Sequence, residues 1–151
     1  MNIGDLAQRK TVSIRRHEDL ISAARTMREE HVGCLIVTEP MVEQGGERPI
    51  GILTDRDIVT AVIARDVDPR AVLVDDVMTR EPLVVAAKNS VESALGKMRE
   101  LGVRRVPVVD DLGRLMGILS LDDVFDYVAE QLATMAGSIR KELRVERALR
   151  P

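Results

Sequence analysis

At 151 residues with 45% hydrophobic content, the chain can build one compact domain with a real core or two small halves that share one. Aromatic residues supply only 1%, so the core, and any grip on a flat ligand ring, must come from Val, Ile, Leu, Ala and Met. The formal charge of −3 excludes a global basic field that would draw in nucleic acid or an anionic membrane, and no apolar run approaches the ~20 residues of a membrane span. Cys34 is the single cysteine and cannot form an internal disulfide. The N-terminus lacks the charged stretch and long apolar run of a signal peptide, so a cytoplasmic protein is expected.

In chain order, Ile3-Gly4-Asp5-Leu6-Ala7-Gln8 leads into a strand over 11–14 that contains Val12. Leu20, Ala23, Ala24 and Met27 then form the i, i+3, i+4, i+7 stripe of an amphipathic helix over 18–31. An apolar strand over 32–38 follows, then a Gly- and Pro-containing turn, a strand over 49–53 and a helix over 55–65. The segment 67–77, with Asp68-Pro69, is expected to be a linker. From there the pattern starts again 71 positions on: Val74–Thr79 stands where Ile3–Gln8 stood, Leu83-Val84-Val85 matches Val12-Ser13-Ile14, and Val91, Ala94, Leu95 and Met98 repeat the helical stripe. The second unit is therefore expected to place strands over 83–86, 103–109 and 114–119 and helices over 90–101 and 121–135, with Asn89 and Glu92 as the capping box of the first of these helices.

The clearest repetition is Gly51-Ile52-Leu53-Thr54-Asp55-Arg56-Asp57 against Gly117-Ile118-Leu119-Ser120-Leu121-Asp122-Asp123. Its offset is only 66, because residues 39–51 hold five more positions than the matching turn at 110–117. A hydroxyl residue followed three later by Asp, directly after a strand, caps a helix N-terminus. Two features point past capping. Gly51 and Gly117 mark places where a ligand or another backbone approaches closely. A helix N-terminus with an added hydroxyl is also a phosphate seat, and a carboxylate beside it can accept from a pair of sugar hydroxyls.

These residues resemble the CBS (cystathionine β-synthase) domain, here as a tandem pair of the kind called a Bateman module. The resemblance rests on Asp76-Val77-Met78-Thr79, on Met98-Arg99-Glu100-Leu101-Gly102, on Val106-Pro107-Val108-Val109-Asp110 and on both repeated segments. It implies a mixed α/β (α+β) fold, two β-α-β-β-α repeats packed about a pseudo-twofold axis, over 1–68 and 69–136, followed by a charged tail at 137–151 expected to be helical. It further implies a non-catalytic regulatory module that binds AMP, ADP, ATP or S-adenosylmethionine between the repeats, forms a homodimer and signals to an effector protein in trans. One cleft would use Thr54 for phosphate and Asp57 for ribose, with Thr79, Leu83 and Val103 opposite. The other would use Ser120 and Asp123, with Gln8, Val12, Val32 and Gly33 opposite; Gln8 departs from the Thr found at Thr79. Arg104 and Arg105 match a position where some members carry basic residues for phosphate, while the first repeat has Gly33-Cys34. With Arg105 in its own repeat, Asp123 is expected to matter more to binding than Asp57.

A ligand-independent dimerisation scaffold, whose caps are merely caps, is the alternative. The sequence shows no catalytic constellation and no G-x-x-x-x-G-K-(S/T) phosphate loop. His17, His31 and Cys34 lack the spacing of a four-ligand zinc site, so no metal is expected, and Cys34 reads as a small buried residue rather than a nucleophile. For the dimer, the outward helix faces are expected to be Ile58, Val62 and Ile63 on one side and Val124, Val128 and Leu132 on the other. In the tail, Arg140, Lys141, Arg144, Arg147 and Arg150 alternate with Glu142 and Glu146, as on a solvated face.

Overall fold

The computed structural model describes residues 1–7 and 10–150. Two α/β units, built to one plan, hold the described strands in two sheets. In the first, β1 (Ser13–Ile14) runs parallel to β2 (Cys34–Pro40), and β2 pairs antiparallel with β3 (Glu47–Thr54). In the second, β5 (Val85–Ala86) runs parallel to β6 (Arg105–Val109), which pairs antiparallel with β7 (Leu115–Ser120). Ile14 opposite Val37 becomes Val85 opposite Val108, and Cys34 opposite Thr54 becomes Arg105 opposite Ser120. Even the irregularity after Val37 recurs after Val108.

Helices α2 (Leu20–Glu30) and α5 (Val91–Leu101) close the parallel connections. Each buries a matching stripe, Leu20, Ala23 and Met27 in one and Val91, Ala94 and Met98 in the other, whereas Ala24 faces solvent. The cap of α5 is Ser90, whose side chain accepts from Ser93 N, and not the expected Asn89–Glu92 pair. Asn89 is engaged elsewhere, its carbonyl accepting from Ile3 N at 3.0 Å. After β3 comes α3 (Asp55–Ile58), which continues as a π turn over Val59–Ile63.

The two units exchange their opening segments. Helix α1 (Ile3–Leu6) precedes the first unit in sequence, yet Ile3 is fully buried in the second core, among Val85, Val106 and Leu119. Helix α4 (Val74–Val77) opens the second repeat, yet Val74 and Met78 are buried in the first core with Leu20, Leu35 and Leu53. The backbone fixes this arrangement. Gly4 N donates to Ala87 O at 2.9 Å, and Val74 N donates to Glu18 O at 2.8 Å. The expected linker at 67–77 is thus in large part a packing element of the first core. Short strand β4 (Thr79–Arg80), not foreseen from sequence, adds to the edge of β3. That approach explains Gly51, where a Cβ would lie 2.5 Å from Met78 Sδ and 3.0 Å from Thr79 O. The neighbour that requires this glycine is another stretch of chain, not a ligand.

The five extra residues of the first unit extend β2 and β3 into a hairpin that turns through Gly45 and Gly46, both at positive φ. The hairpin tip meets the corresponding turn of the second unit, Arg114 donating to Gln44 O at 3.4 Å. At the other end of the chain, α6 (Leu121–Leu149) is one unbroken helix of 29 residues. The charged tail is therefore helical as expected, but it continues the last helix of the second unit instead of forming a separate one. None of the described helices is long and apolar enough to cross a membrane.

Candidate functional site

Two clefts lie between the units, and each draws on both. The Thr54–Asp57 cleft, of about 240 Å³, is lined from the first unit by Ile52, Thr54 and Asp57 and from the other repeat by Thr79, Pro82, Leu83, Val103 and Arg104. The Ser120–Asp123 cleft, of about 360 Å³, has Ser120, Asp123 and Ile118 on one side and Val12, Val32, Gly33 and Ile36 on the other. All the residues expected from sequence stand at one cleft or the other, except Gln8, which lies outside the described residues. Arg105 and Cys34 line both clefts. They are equivalent positions, each the strand residue opposite the motif hydroxyl of its own unit.

The repeated motif is a reciprocal cap in both copies. Asp57 N donates to Thr54 Oγ1 at 3.2 Å, and Thr54 N donates to Asp57 Oδ2 at 2.9 Å. Asp123 N donates to Ser120 Oγ, and Ser120 N to Asp123 Oδ2, both at 3.1 Å; Ser120 Oγ also donates to Asp123 Oδ2 at 2.5 Å. The helix caps are therefore Thr54 and Ser120, with each Asp at the third helical position. Capping and binding are not exclusive here, since a carboxylate has two oxygens and about four lone-pair directions. The half-buried carboxylates of Asp57 and Asp123 each face a cleft and are held in orientation by the backbone they cap.

Gly33 packs close to the Asp55 side chain. A Cβ there would stand 2.8 Å from Asp55 Oδ2, and Gly33 O accepts from Asp55 N at 3.0 Å. In the second unit the same backbone bond runs from Leu121 N to Arg104 O at 2.9 Å, and Leu121 has no carboxylate to crowd the strand. A side chain is therefore accommodated at Arg104 without the shift of the Asp55 carboxylate that one at position 33 would require. Arg104 reaches Asp122 at 3.6 Å in an exposed ion pair.

Burial pushes the Cys34 thiol above its ordinary pKa, against the opposing pull of the Arg105 charge, so it stays protonated near neutral pH. That fits a packing residue better than a nucleophile. Sequence reasoning missed several cleft residues: Lys10, Thr11, His31, Asp122 and Asp126 in the larger cleft, and Ile52 and Pro82 in the smaller. The pairing of α6 with a cleft could have flagged Asp126, one helical turn beyond Asp122 on the same face. Among the described residues no group of three or more His, Cys, Asp or Glu side chains is arranged to hold a metal ion.

Comparison with known proteins gives consistent results. The family model described as CBS domain matches residues 3–64 and 74–130. An uncharacterised protein of Methanopyrus kandleri is 30% identical over 141 residues, covering 93% of this chain and 69% of that protein. Hypoxic response protein 1 of Mycobacterium tuberculosis is 32% identical over 126 residues, 83% of this chain and 84% of its own length. A crystal structure of Hypoxic Response Protein I with two coordinated zinc ions matches with a TM-score of 0.69 at 32% identity, over 83% of this chain and 98% of that one. A CBS domain protein from Pyrobaculum aerophilum, complexed with AMP, matches with a TM-score of 0.73 at 26% identity, over 89% of this chain and 99% of that one. With the family model covering both units and the fold shared with known domain pairs, the chain belongs to the CBS domain family and carries two copies of the domain.

Proposed function

We propose that this chain is a non-catalytic regulatory module that binds an adenosine-containing ligand between its two CBS units and passes that occupancy to an effector protein in trans. The observation that carries the reading is the composition of each cleft: a capped hydroxyl–Asp pair from one unit faces aliphatic walls from the other. Asp57 or Asp123 would accept from the ribose hydroxyls, Thr54 or Ser120 would contact phosphate, and side chains such as Leu83 and Val103 would sandwich the purine. The AMP held by the Pyrobaculum relative supports this choice of ligand class. AMP, ADP, ATP and S-adenosylmethionine are the candidates.

Because the ligand touches both units, it can shift their relative orientation if it prefers one arrangement over the other. The test is thermal unfolding. A ligand that binds only the folded state stabilises it by about 2.7 kcal/mol at a hundredfold excess over its dissociation constant. Adenosine nucleotides should raise the melting temperature more than guanosine or cytidine nucleotides. Melting curves unmoved by millimolar AMP, ADP, ATP and S-adenosylmethionine would leave the scaffold reading.

One observation bears on the expected dimer. Phe125, Val128, Leu132, Met135 and Ile139 are all exposed along α6, at spacings of three and four, which is the seam of a helix that packs on a partner. Val62 and Val124, expected on the outward faces, are instead buried in the cores. A homodimer joined partly through the α6 seam suits both readings, and light scattering at high micromolar concentration measures it.

A further inference from the structure

The charged residues are shared unequally between the two clefts. Among the described residues, the Thr54–Asp57 cleft sets Arg104 and Arg105 against the single carboxylate of Asp57. The Ser120–Asp123 cleft sets Lys10 and Arg105 against three carboxylates, Asp122, Asp123 and Asp126. Arg105 is counted on both sides because the same residue lines both clefts. A phosphate in one cleft that engages Arg105 leaves less positive charge for a phosphate in the other. Arg104 adds a second link, since its ion pair at 3.6 Å is with Asp122 of the opposite cleft. Both partners of that pair are more than half exposed, with side chains 72% and 65% accessible, so it is weak and readily exchanged for a phosphate. The exchange would uncover the Asp122 charge in the larger cleft.

We propose that the two clefts are matched to ligands of different charge: the Thr54–Asp57 cleft takes phosphorylated adenosine, and the Ser120–Asp123 cleft takes an adenosine derivative with no net negative charge. Arg105 and the Arg104–Asp122 pair make the second phosphate unwelcome once the first is bound. This rests on the reading above that the clefts hold adenosine compounds. It reverses the ranking expected from sequence, because both arginines serve the cleft of Asp57 while only Arg105 serves that of Asp123. In this arrangement the module reports two signals at once, the level of a nucleotide and the level of an uncharged or sulfonium nucleoside.

Calorimetric titration of the full chain with AMP, adenosine and S-adenosylmethionine tests it. AMP should fill one site per chain, weakened at least tenfold by Asp57→Asn and unaffected by Asp123→Asn. Arg104→Gln should weaken AMP several-fold and leave adenosine affinity unchanged, a difference that general loss of structure would not produce. S-adenosylmethionine should still bind the AMP-saturated protein, and Asp123→Asn should abolish that binding. The double variant Asp122→Asn with Asp126→Asn, both exposed positions, should gain a second AMP site. Two AMP sites of equal affinity in the wild type, or AMP binding that depends on Asp123 and not on Asp57, would overturn the proposal while leaving adenosine recognition standing. No binding by any of the three probes would overturn both.

Discussion

The two CBS units of this chain share one plan of strand pairing and first helix, and beyond the longer β2–β3 hairpin of the first they part company at two places. At the strand that opens on the clefts, the first unit has Gly33-Cys34 and the second Arg104-Arg105. After the repeated motif, the first unit ends in the short helical run through Ile63, whereas the second continues for 29 residues as α6. The core positions keep one apolar pattern while the residues themselves change, Leu20 to Val91 and Leu35 to Val106, because a close-packed interior must stay apolar and filled. The cleft and the outer helix are under no such constraint, so that is where two copies of one plan acquire different chemistry. The neighbours differ as well, the Asp55 carboxylate lying close to Gly33 whereas Leu121 brings no carboxylate to Arg104.

The largest expected effects strike at the exchange that ties the units together. Ile3→Ala should destabilise the protein by about 2 to 5 kcal/mol in denaturant unfolding, the range for emptying a fully buried aliphatic site. The loss should appear in the second unit's core, although Ile3 lies in the first repeat. Gly51→Ala should cost about 1 to 3 kcal/mol through the overlap with Met78 and Thr79. Unchanged stability in both variants would mean that the openings do not pack across the units in solution.

Next in size are the ligand contacts. Asp57→Asn should lower AMP affinity more than tenfold, as expected when a charged acceptor worth about 1.5 to 3 kcal/mol is lost, with little change in the melting temperature of the unliganded protein. Thr54→Ala removes a cap and should cost about 1 kcal/mol of stability even without ligand. Chemical denaturation of the pair, with and without AMP, separates the two roles that the motif combines.

The smallest expected effect is one of pH. Asp75 of α4 lies 2.9 Å from Arg80 and 2.7 Å from Arg16 of the other repeat. The hydrogen bond from Arg80, then the charges of both arginines, hold its carboxyl below the ordinary 3.8 against the opposing effect of burial. A folded-state pKa below the unfolded one stabilises the protein above about pH 4, and this contribution is lost as pH falls through the lower folded value. Melting temperature should therefore decline on acidification below pH 4, and less steeply in Asp75→Asn. Equal slopes in the two proteins would remove Asp75 from the contacts that join the repeats.

Much of this was legible in the sequence because the chain states its plan twice. The offset of 71 aligned Met27 with Met98 and Cys34 with Arg105, and the structure pairs the strands in the corresponding registers. The residues expected at each cleft came instead from the resemblance to the CBS family, carried onto these positions one by one. What the alignment did not convey is which core each opening segment enters. Ile3 and Val74 are equivalent and equally apolar, so their sequence context is the same whether each packs in its own unit or in the other. Strand β4 has two residues, too few for a period, and its only trace in the sequence is the glycine it demands at position 51. The closeness of the Asp55 carboxylate to Gly33, 22 residues away, is likewise visible only once the strand and helix are in place.

The most direct test of the central claim, that adenosine ligands bind between the units, is a crystal structure of the full chain grown with AMP. The account predicts ribose hydroxyls within hydrogen-bonding distance of the Asp57 carboxylate, the purine between Leu83 and Val103, and phosphate directed toward Thr54 and Arg104. AMP seated away from both clefts, or density absent from them at saturating AMP, would contradict it.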